Sequence, residues 1–290
     1  MLLICLQESL REYLCECLHE CLRDVSANAS YINSGKFRYS VGETNRKFWD
    51  EKGKILFAQE WALTLSEQVR DCLRSNVDWI AIRKSADNKT PVKMIDYACG
   101  NGIVSQDLFD FADVIRGVDT SDAMVELYND QARQSDIAPE RMHAVRGNFL
   151  DSSNNDAIAG PDFHEADAII MSMALHHSGD PQAMLSKIVD RLRTNGVLVL
   201  IDWMDSALDH AGASSHAHGH RIEDKSDANH TISKTSFSAG DIKQLFLGAG
   251  CDPDTVDFRP YKEASHIPES VTKVKGGVNR MFFIAKAKKP

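Results

Sequence analysis

The residues with the clearest chemical potential form one short run at positions 96–102, where an apolar segment ends in an acid. The run consists of Asp96, Tyr97, Ala98, Cys99, Gly100, Asn101 and Gly102. Two glycines one residue apart let a ligand approach the backbone closely. The apolar stretch 103–112 that follows predicts a helix whose first amide groups are free donors. A strand, a tight turn and a helix start suit a nucleotide-like cofactor with a carboxylate or phosphate.

Other polar residues follow later strand-like runs. Asp119 closes the second run, where a carboxylate can hold ribose hydroxyls, although it can also cap the helix that begins near Ser121. His176 and His177 follow the fourth run, at the carboxyl edge where ligands bind in parallel sheets. A histidine there can act as a general base, so both are candidate catalytic residues. A purely structural role for the pair stays open as the alternative.

Two clusters contain metal-ligating residue types but do not predict a metal site. Cys15, Cys17, His19 and Cys21 alternate with other residues, and on a helix this spacing spreads the side chains around the circumference. The segment 210–220 carries histidines among Gly, Ala and Ser, without a cysteine or clustered carboxylates. We interpret it as a flexible lid after strand five and predict no bound metal.

These residues need a scaffold that positions them, and the pattern from residue 91 onward supplies one. The strand-like runs are 92–97, 114–118, 142–146, 168–172 and 197–202, with later runs at 255–261 and 278–287. The helix-like runs are 103–111, 122–134, 181–192 and 237–250. Strands that alternate with helices predict a parallel sheet wound right-handedly.

The first 90 residues have a different character. Apolar residues at helical spacing in 1–24 predict an amphipathic helix, and 26–42 is rich in Ser, Asn and Gly and indicates a loop. Residues 43–84 are again helical in pattern. We therefore divide the chain into an N-terminal helical lobe or lid, 1–90, and an α/β domain, 91–290.

Composition limits the classes of partner. The chain has 290 residues, is 43% hydrophobic and carries a formal net charge of −9, so we expect a small-molecule partner and no nucleic acid. No apolar run reaches the roughly 20 residues of a membrane span, and the start of the chain does not resemble a signal peptide. Seven cysteines without regular spacing indicate reduced thiols and a cytoplasmic protein. The oligomeric state stays open.

A glycine-rich turn between a strand and a helix occurs in two large groups of cofactor-binding proteins. Nicotinamide-dependent dehydrogenases use Gly-x-Gly-x-x-Gly. Here the third glycine would fall at Ser105 or at Ile103, depending on where the count starts. The motif therefore disfavours a nicotinamide-dependent oxidoreductase, which we keep as an alternative.

The run at 96–102 instead resembles the first motif of class I S-adenosylmethionine-dependent methyltransferases, acid-x-Gly-x-Gly-x-Gly, with Ala98 in place of the first glycine. The resemblance covers 91–203 well: an acid ends strand two, an apolar residue follows it, and a polar residue comes after strand three. It implies a Rossmann-like α/β fold, with a seven-stranded, mostly parallel sheet, helices on both faces and the N-terminal lobe. The antiparallel last strand would be 278–287.

The same resemblance implies S-adenosyl-L-methionine as the cofactor. Asp119 would hold the ribose, Met124 would pack on the adenine, and Asn148 stands where the family usually has an aspartate that contacts the base. Met124 can equally be a plain core residue. The full set of implied cofactor-binding residues is Asp96, Ala98, Gly100, Asn101, Gly102, Asp119, Thr120, Met124, Asn148, Phe149, Met171, Ser172 and Tyr39.

Two further stretches resemble particular groups within this methyltransferase class. Residues 169–177, which end in His-His, resemble a signature of ubiquinone/menaquinone-methyltransferase-like enzymes. Residues 39–50 look like the N-terminal entry of fungal small-molecule methyltransferases, among them enzymes that S-methylate gliotoxin-type dithiols. This likeness implies a role in secondary metabolism.

The predicted function is therefore S-adenosylmethionine-dependent methyl transfer to a small-molecule acceptor, narrowed by the resemblance to the thiols of a dithiol fungal metabolite. In-line displacement on an activated methyl group depends mainly on holding donor and acceptor together. A general base is needed only where the acceptor's proton must leave. The remaining alternatives are an O- or C-methyltransferase of a phenol or quinol and a non-catalytic cofactor-binding protein.

Overall fold

The computed structural model describes residues 41–82, 90–151, 156–205 and 233–290, and its centre is a seven-stranded sheet. The strands are β1 (Lys93–Tyr97), β2 (Val114–Asp119), β3 (Met142–Arg146), β4 (Ala166–Ser172), β5 (Leu192–Trp203), β6 (Asp257–Pro260), β7 (Ser265–Ile267), β8 (Val278–Arg280) and β9 (Phe282–Lys288). The sheet order is β3-β2-β1-β4-β5-β9-β6, and β9 runs antiparallel between β5 and β6. The predicted Rossmann-like, mostly parallel sheet is confirmed.

Helices precede the sheet and connect its strands. They are α1 (Val41–Phe57), α2 (Glu60–Ile80), α3 (Ile103–Asp107), α4 (Asp122–Gln134), α5 (Asp156–Ala159), α6 (Pro181–Asp190), α7 (Ala239–Gly248) and α8 (Glu269–Thr272). Several ends have clear chemical causes: Ser121 caps α4, Asp180 caps α6, and Ser238 and Asp241 form a capping box on α7. Within the described ranges, no helix combines the length and apolarity that a bilayer crossing requires.

The core lies on both faces of the sheet because the central strands are apolar on both sides. In β1, Met94 faces one apolar cluster and its neighbour Ile95 faces the other. In β4 the same division separates Ile170 from Ile169, and all four side chains are fully buried. Burial on both faces is typical of parallel strands covered by helices.

The helical stretch predicted at 43–84 is confirmed, and it consists of the two helices α1 and α2. The break lies at Ala58 and Gln59, which close a tight turn by donating to the carbonyls of Ile55 and Leu56. Gln59 has an extended backbone, so α2 starts anew at Glu60. No glycine or proline marks the break, which explains why the sequence pattern runs through it.

The antiparallel last strand predicted at 278–287 is confirmed for residues 282–287, but residues 278–280 form a separate strand because the chain changes partner at Met281. The three residues of β8 pair with β7 in a separate two-stranded ribbon, whereas β9 enters the main sheet. The link between the two predicted late strands is therefore structured and includes β7 and α8. The predicted helix at 1–24, the cysteine-rich cluster within it and the histidine segment 210–220 lie outside the described residues.

Candidate functional site

A cavity of about 690 Å³ opens at the carboxyl edge of the sheet, under α1 and α2. In the sheet, β2 and β3 lie on one side of β1, and β4 and β5 lie on the other. The cavity lies at the point between β1 and β4 where the strand order reverses, which is the usual position of a ligand in such sheets. Its volume falls in the range of about 300–1,000 Å³ found for small-molecule sites. The predicted site residues in its wall are Asp96, Ala98, Gly100, Asn101, Asp119, Thr120, Met124, Asn148, Met171, Ser172, His176 and His177.

Two predicted residues are placed differently. Gly102 and Phe149 lie next to wall residues without lining the cavity, and they support the wall from behind. Phe149 stacks on Tyr97 with ring centroids 4.4 Å apart, and its amide nitrogen donates to the Tyr97 hydroxyl at 3.3 Å. Tyr39 lies outside the described residues.

The turn after β1 is held in an unusual backbone conformation. Ala98, Gly100 and Gly102 all have positive φ angles, of 58°, 49° and 78°. A side chain at Gly102 would come within 2.8 Å of the buried Tyr128 ring, and one at Gly100 within 3.2 Å of Phe57. Ala98 shows that the first glycine of the pattern can be replaced, since the left-handed region costs an L-residue only about 1–2 kcal/mol.

Asp119 ties this turn to the end of β2. Its Oδ2 atom accepts a hydrogen bond from the Gly100 amide at 3.0 Å, and its Oδ1 atom accepts one from the Ser121 amide at 2.9 Å. Burial raises the pKa of Asp119 to about 6, and the backbone hydrogen bonds oppose this rise. Ser121, not Asp119, caps α4, because its hydroxyl accepts from the Met124 amide.

Asp96 lies deeper and anchors the turn to the core. Its Oδ2 atom accepts a hydrogen bond from the Ser105 hydroxyl at 2.8 Å, and Ser105 in turn accepts one from the Tyr128 hydroxyl at 2.8 Å. Burial raises the pKa of Asp96 from 3.8 to about 7; the bonds from Ser105 lower it, and the charge of Asp119 raises it further.

Because of this burial, Asp96→Asn is expected to stabilise the protein more at pH 8 than at pH 5. Between pH 4 and 7 the unfolded chain ionises this carboxyl group while the folded chain keeps it protonated, so wild-type stability falls as pH rises. An asparagine avoids that loss, and its advantage should grow by roughly 2–3 kcal/mol between pH 5 and 8. Urea unfolding at both pH values measures it. The exposed Asp110→Asn is the control, and an equal pH response of both variants would refute the expectation.

Met124 and Asn148, the two residues predicted to contact an adenine ring, both lie in the cavity wall. Met124 is almost fully buried beneath α1, where a side chain on Gly53 would come within 2.6 Å of its Cε atom. The Asn148 Oδ1 atom accepts hydrogen bonds from the Tyr97 hydroxyl at 3.2 Å and from the Leu150 amide at 3.0 Å. Both Met124 and Asn148 are therefore held in fixed positions in the wall.

Helix α1 covers the cavity, and one of its acids was not recognised from the sequence. The Asp50 Oδ1 atom accepts a hydrogen bond from the Ser121 hydroxyl at 2.6 Å, which fastens α1 to the start of α4. Trp49 and Phe57 stack at 5.8 Å and line the cavity. An acid within an amphipathic helix carries no local signal that it bonds to a residue 71 positions away.

The two candidate histidines occupy a short helical turn, Leu175–His177, after β4. The Nδ1 atom of His176 lies 2.7 Å from Oδ1 of Asp202, and the His176 amide donates to Oδ2 of Asp202 at 3.1 Å. His177 instead meets the Trp49 ring edge-on at 5.8 Å. Asp202 was missed by sequence reasoning, although an acid near the end of strand five is the same signal that singled out Asp119.

The rest of the cavity forms an apolar chamber beside these histidines. The side chains that α2, β5 and the segment 265–280 contribute include Trp61, Leu65, Val69, Trp203, Ile267 and Val271. The guanidinium of Arg280 also reaches the wall and lies 4.7 Å above the Trp203 ring. The segment 265–280 was missed because its pattern was interpreted as a link. In the described part of the chain, no group of three or more His, Cys, Asp or Glu residues is arranged to hold a metal ion.

The sequence is similar to those of methyltransferases. The model of a family described as a methyltransferase domain matches residues 66–256, more than half of the chain. An uncharacterized methyltransferase of Schizosaccharomyces pombe is 35% identical over 116 residues. That match covers 39% of this chain and 39% of the relative, so the two are alike over about two fifths of their lengths.

Solved structures share the fold at low sequence identity. The magnesium protoporphyrin IX methyltransferase of Synechocystis PCC 6803, crystallised with bound SAH (S-adenosylhomocysteine), superposes with a TM-score of 0.57 at 14% identity and covers 87% of this chain and 100% of its own. SpnF, a cyclase of the 4+2 type, gives the same TM-score at 15% identity, covering 89% and 99%. These similarities concern the fold.

Proposed function

Because the chain belongs to the methyltransferase domain family, we propose that it catalyses S-adenosylmethionine-dependent methyl transfer to a small-molecule acceptor. The observation that carries this proposal is the geometry at the sheet edge. A turn with positive φ angles and the buried carboxylate of Asp119 border one end of a cavity whose other end is an apolar chamber. Such a cavity has room for a nucleoside donor at one end and an acceptor at the other.

The residues present fit an adenosyl donor. Asp119 would accept a hydrogen bond from a ribose hydroxyl, because a carboxylate has about four acceptor sites and the backbone amides of Gly100, Thr120 and Ser121 use three of them. Met124 and Asn148 would hold the adenine, and the small residues of the turn allow close approach to the backbone. When bound, the donor supplies a methyl group that its sulfonium already activates.

The protein's contribution is positioning and exclusion of water. Trp49 and Phe57 of α1 cover the donor end, and α2 together with the segment 265–280 encloses the acceptor end. We propose that α1 and α2, within the N-terminal lobe of residues 1–90, act as the lid of the 91–290 domain. Holding two reactants in contact can lower the barrier by about 7–11 kcal/mol.

The acceptor we propose is a small apolar molecule, and the narrower candidate is a dithiol secondary metabolite whose sulfurs are methylated. The apolar chamber supports the first part, and the resemblance at 39–50 supports the second. The phenol or quinol alternative is supported by the histidine pair, because O–H acceptors need a base more than thiols do.

Isothermal titration tests the donor half of the proposal. We expect S-adenosylhomocysteine to bind with micromolar affinity and NADH not to bind, because the turn lacks the third glycine of a dinucleotide site. Binding of NADH without S-adenosylhomocysteine would favour the oxidoreductase alternative and would contradict the proposal.

Transfer of radiolabelled methyl groups to a panel of dithiols, phenols and quinols tests the acceptor half. Binding of the donor alone does not suffice, since a cyclase has a similar fold. We expect label in at least one acceptor class, with dithiols as the strongest. Donor binding without transfer to any class would indicate a non-catalytic cofactor-binding protein.

A further inference from the structure

Asp202 is the buried acid that stands out at the acceptor end of the cavity. It lies near the end of β5, its side chain is fully buried, and it accepts three hydrogen bonds. Two come from His176, through Nδ1 and the backbone amide, and one comes from the Trp203 amide at 2.7 Å. A carboxylate so held cannot turn away from the imidazole.

These contacts favour one tautomer of the neutral ring. A carboxylate only accepts hydrogen bonds, so with Asp202 in its carboxylate form the 2.7 Å contact is made by a hydrogen that His176 carries on Nδ1. The lone pair of the neutral ring is then on Nε2. His176 lines the cavity, and its Nε2 atom makes no hydrogen bond to any described residue.

We propose that His176 is the general base of the reaction, that Asp202 is its positioning residue, and that the acceptor belongs to the class whose nucleophile still carries a proton at neutral pH, an S–H or O–H group. This inference rests on the proposed function. In the step, the acceptor's proton moves to Nε2 and its electron pair forms the new bond to the methyl carbon. The carbon–sulfur bond of the donor breaks, and its electrons stay on sulfur. The imidazolium so formed is stabilised by the Asp202 carboxylate.

The neighbouring histidine provides a matched comparison. The rings of His176 and His177 lie 4.1 Å apart and both line the cavity, but His177 faces the Trp49 ring, whereas Asp202 holds His176. The two side chains therefore border the same cavity, and the contact with the buried Asp202 carboxylate belongs to His176. The proposal assigns the proton to His176 and not to His177.

Nitrogen-15 NMR of the imidazole rings tests the assignment on the protein itself. At a pH where the ring is neutral, the wild-type protein should show His176 with its hydrogen on Nδ1. Asp202→Asn should reduce that population, because an amide can also donate to the ring. A wild-type ring with its hydrogen on Nε2 would overturn the proposal, whatever the activity of the enzyme.

Kinetics on an acceptor that the radiolabel panel identifies test the role. The substrates are members of that acceptor class whose S–H or O–H groups differ in acidity. His176→Gln should lower kcat by about 10²–10⁴-fold on the least acidic acceptor and clearly less on the most acidic one. Asp202→Asn should lower kcat by about tenfold or more, with KM within about threefold, whereas His177→Gln should keep the wild-type dependence on acceptor acidity.

The two proposals fail in different ways. An inactive wild-type enzyme contradicts the proposed function. An active wild-type enzyme whose His176→Gln variant is equally active on the least acidic acceptor contradicts the assignment of His176 as the general base. An equal loss by His176→Gln on all acceptors also overturns the base, because a structural defect does not depend on acceptor acidity. Titration with S-adenosylhomocysteine, expected within threefold of wild type, shows that each variant is folded.

Discussion

Asp119→Ala is expected to weaken the binding of S-adenosylhomocysteine at least tenfold. The carboxylate that would hold the ribose is lost, and so are its hydrogen bonds to the Gly100 and Ser121 amides, which shape the turn. A hydrogen bond to a charged group contributes about 1.5–3 kcal/mol, so the lower end of this range already gives the tenfold effect. Isothermal titration at pH 8 measures the change.

The control for this variant is Asp122→Ala. Asp122 lies three residues further along the chain, is exposed and forms an ion pair with Arg146 outside the cavity wall. We expect its dissociation constant to remain within twofold of wild type. If Asp119→Ala bound as tightly as this control, Asp119 would not hold the donor and the proposed orientation of the donor would be wrong.

Gly102→Ala is expected to lower the free energy of unfolding by about 2–4 kcal/mol and to impair donor binding. Gly102 has a φ of 78°, which alanine adopts only with strain, and the new methyl group would lie 2.8 Å from the Tyr128 ring. That ring is fully buried, and its hydroxyl holds Ser105, the hydrogen-bond donor to Asp96. The ring therefore cannot move without disturbing the anchor of the turn.

Gly160→Ala is the matched control, because Gly160 has an ordinary φ of −68° and no atom within 4 Å of an added methyl group. It should leave stability unchanged or raise it by up to about 1 kcal/mol, since alanine restricts the unfolded chain. Urea unfolding measures both variants. Equal stability of the two would mean that the turn tolerates side chains and does not bring the backbone close to a ligand.

Much of the fold could be predicted because local patterns dominate it. The strand Met142–Arg146 and the helix Asp122–Gln134 have the predicted bounds. In both, clear polar or capping residues mark where the apolar pattern begins or ends, such as Ser121 before the helix. The positions of the turn residues and of Asp119 in the cavity wall could also be predicted, because the carboxyl ends of parallel strands meet at one edge of the sheet.

What could not be predicted depends on contacts between distant residues. Asp202 meets His176 across 26 positions, and Asp50 meets Ser121 across 71. The change of sheet partner at Met281 is also nonlocal, because β8 requires β7 and β9 requires β5. Periodicity describes one segment at a time and does not specify which segments pair.

A crystal structure of the protein with S-adenosylhomocysteine would show where the donor binds. We expect the ribose hydroxyls within hydrogen-bond distance of the Asp119 carboxylate, the adenine beside Met124 and Asn148, and the sulfur directed towards the chamber that His176 borders. An adenosine moiety bound elsewhere, or a turn at 98–102 blocked by the Phe57 side chain in the complex, would contradict this expectation.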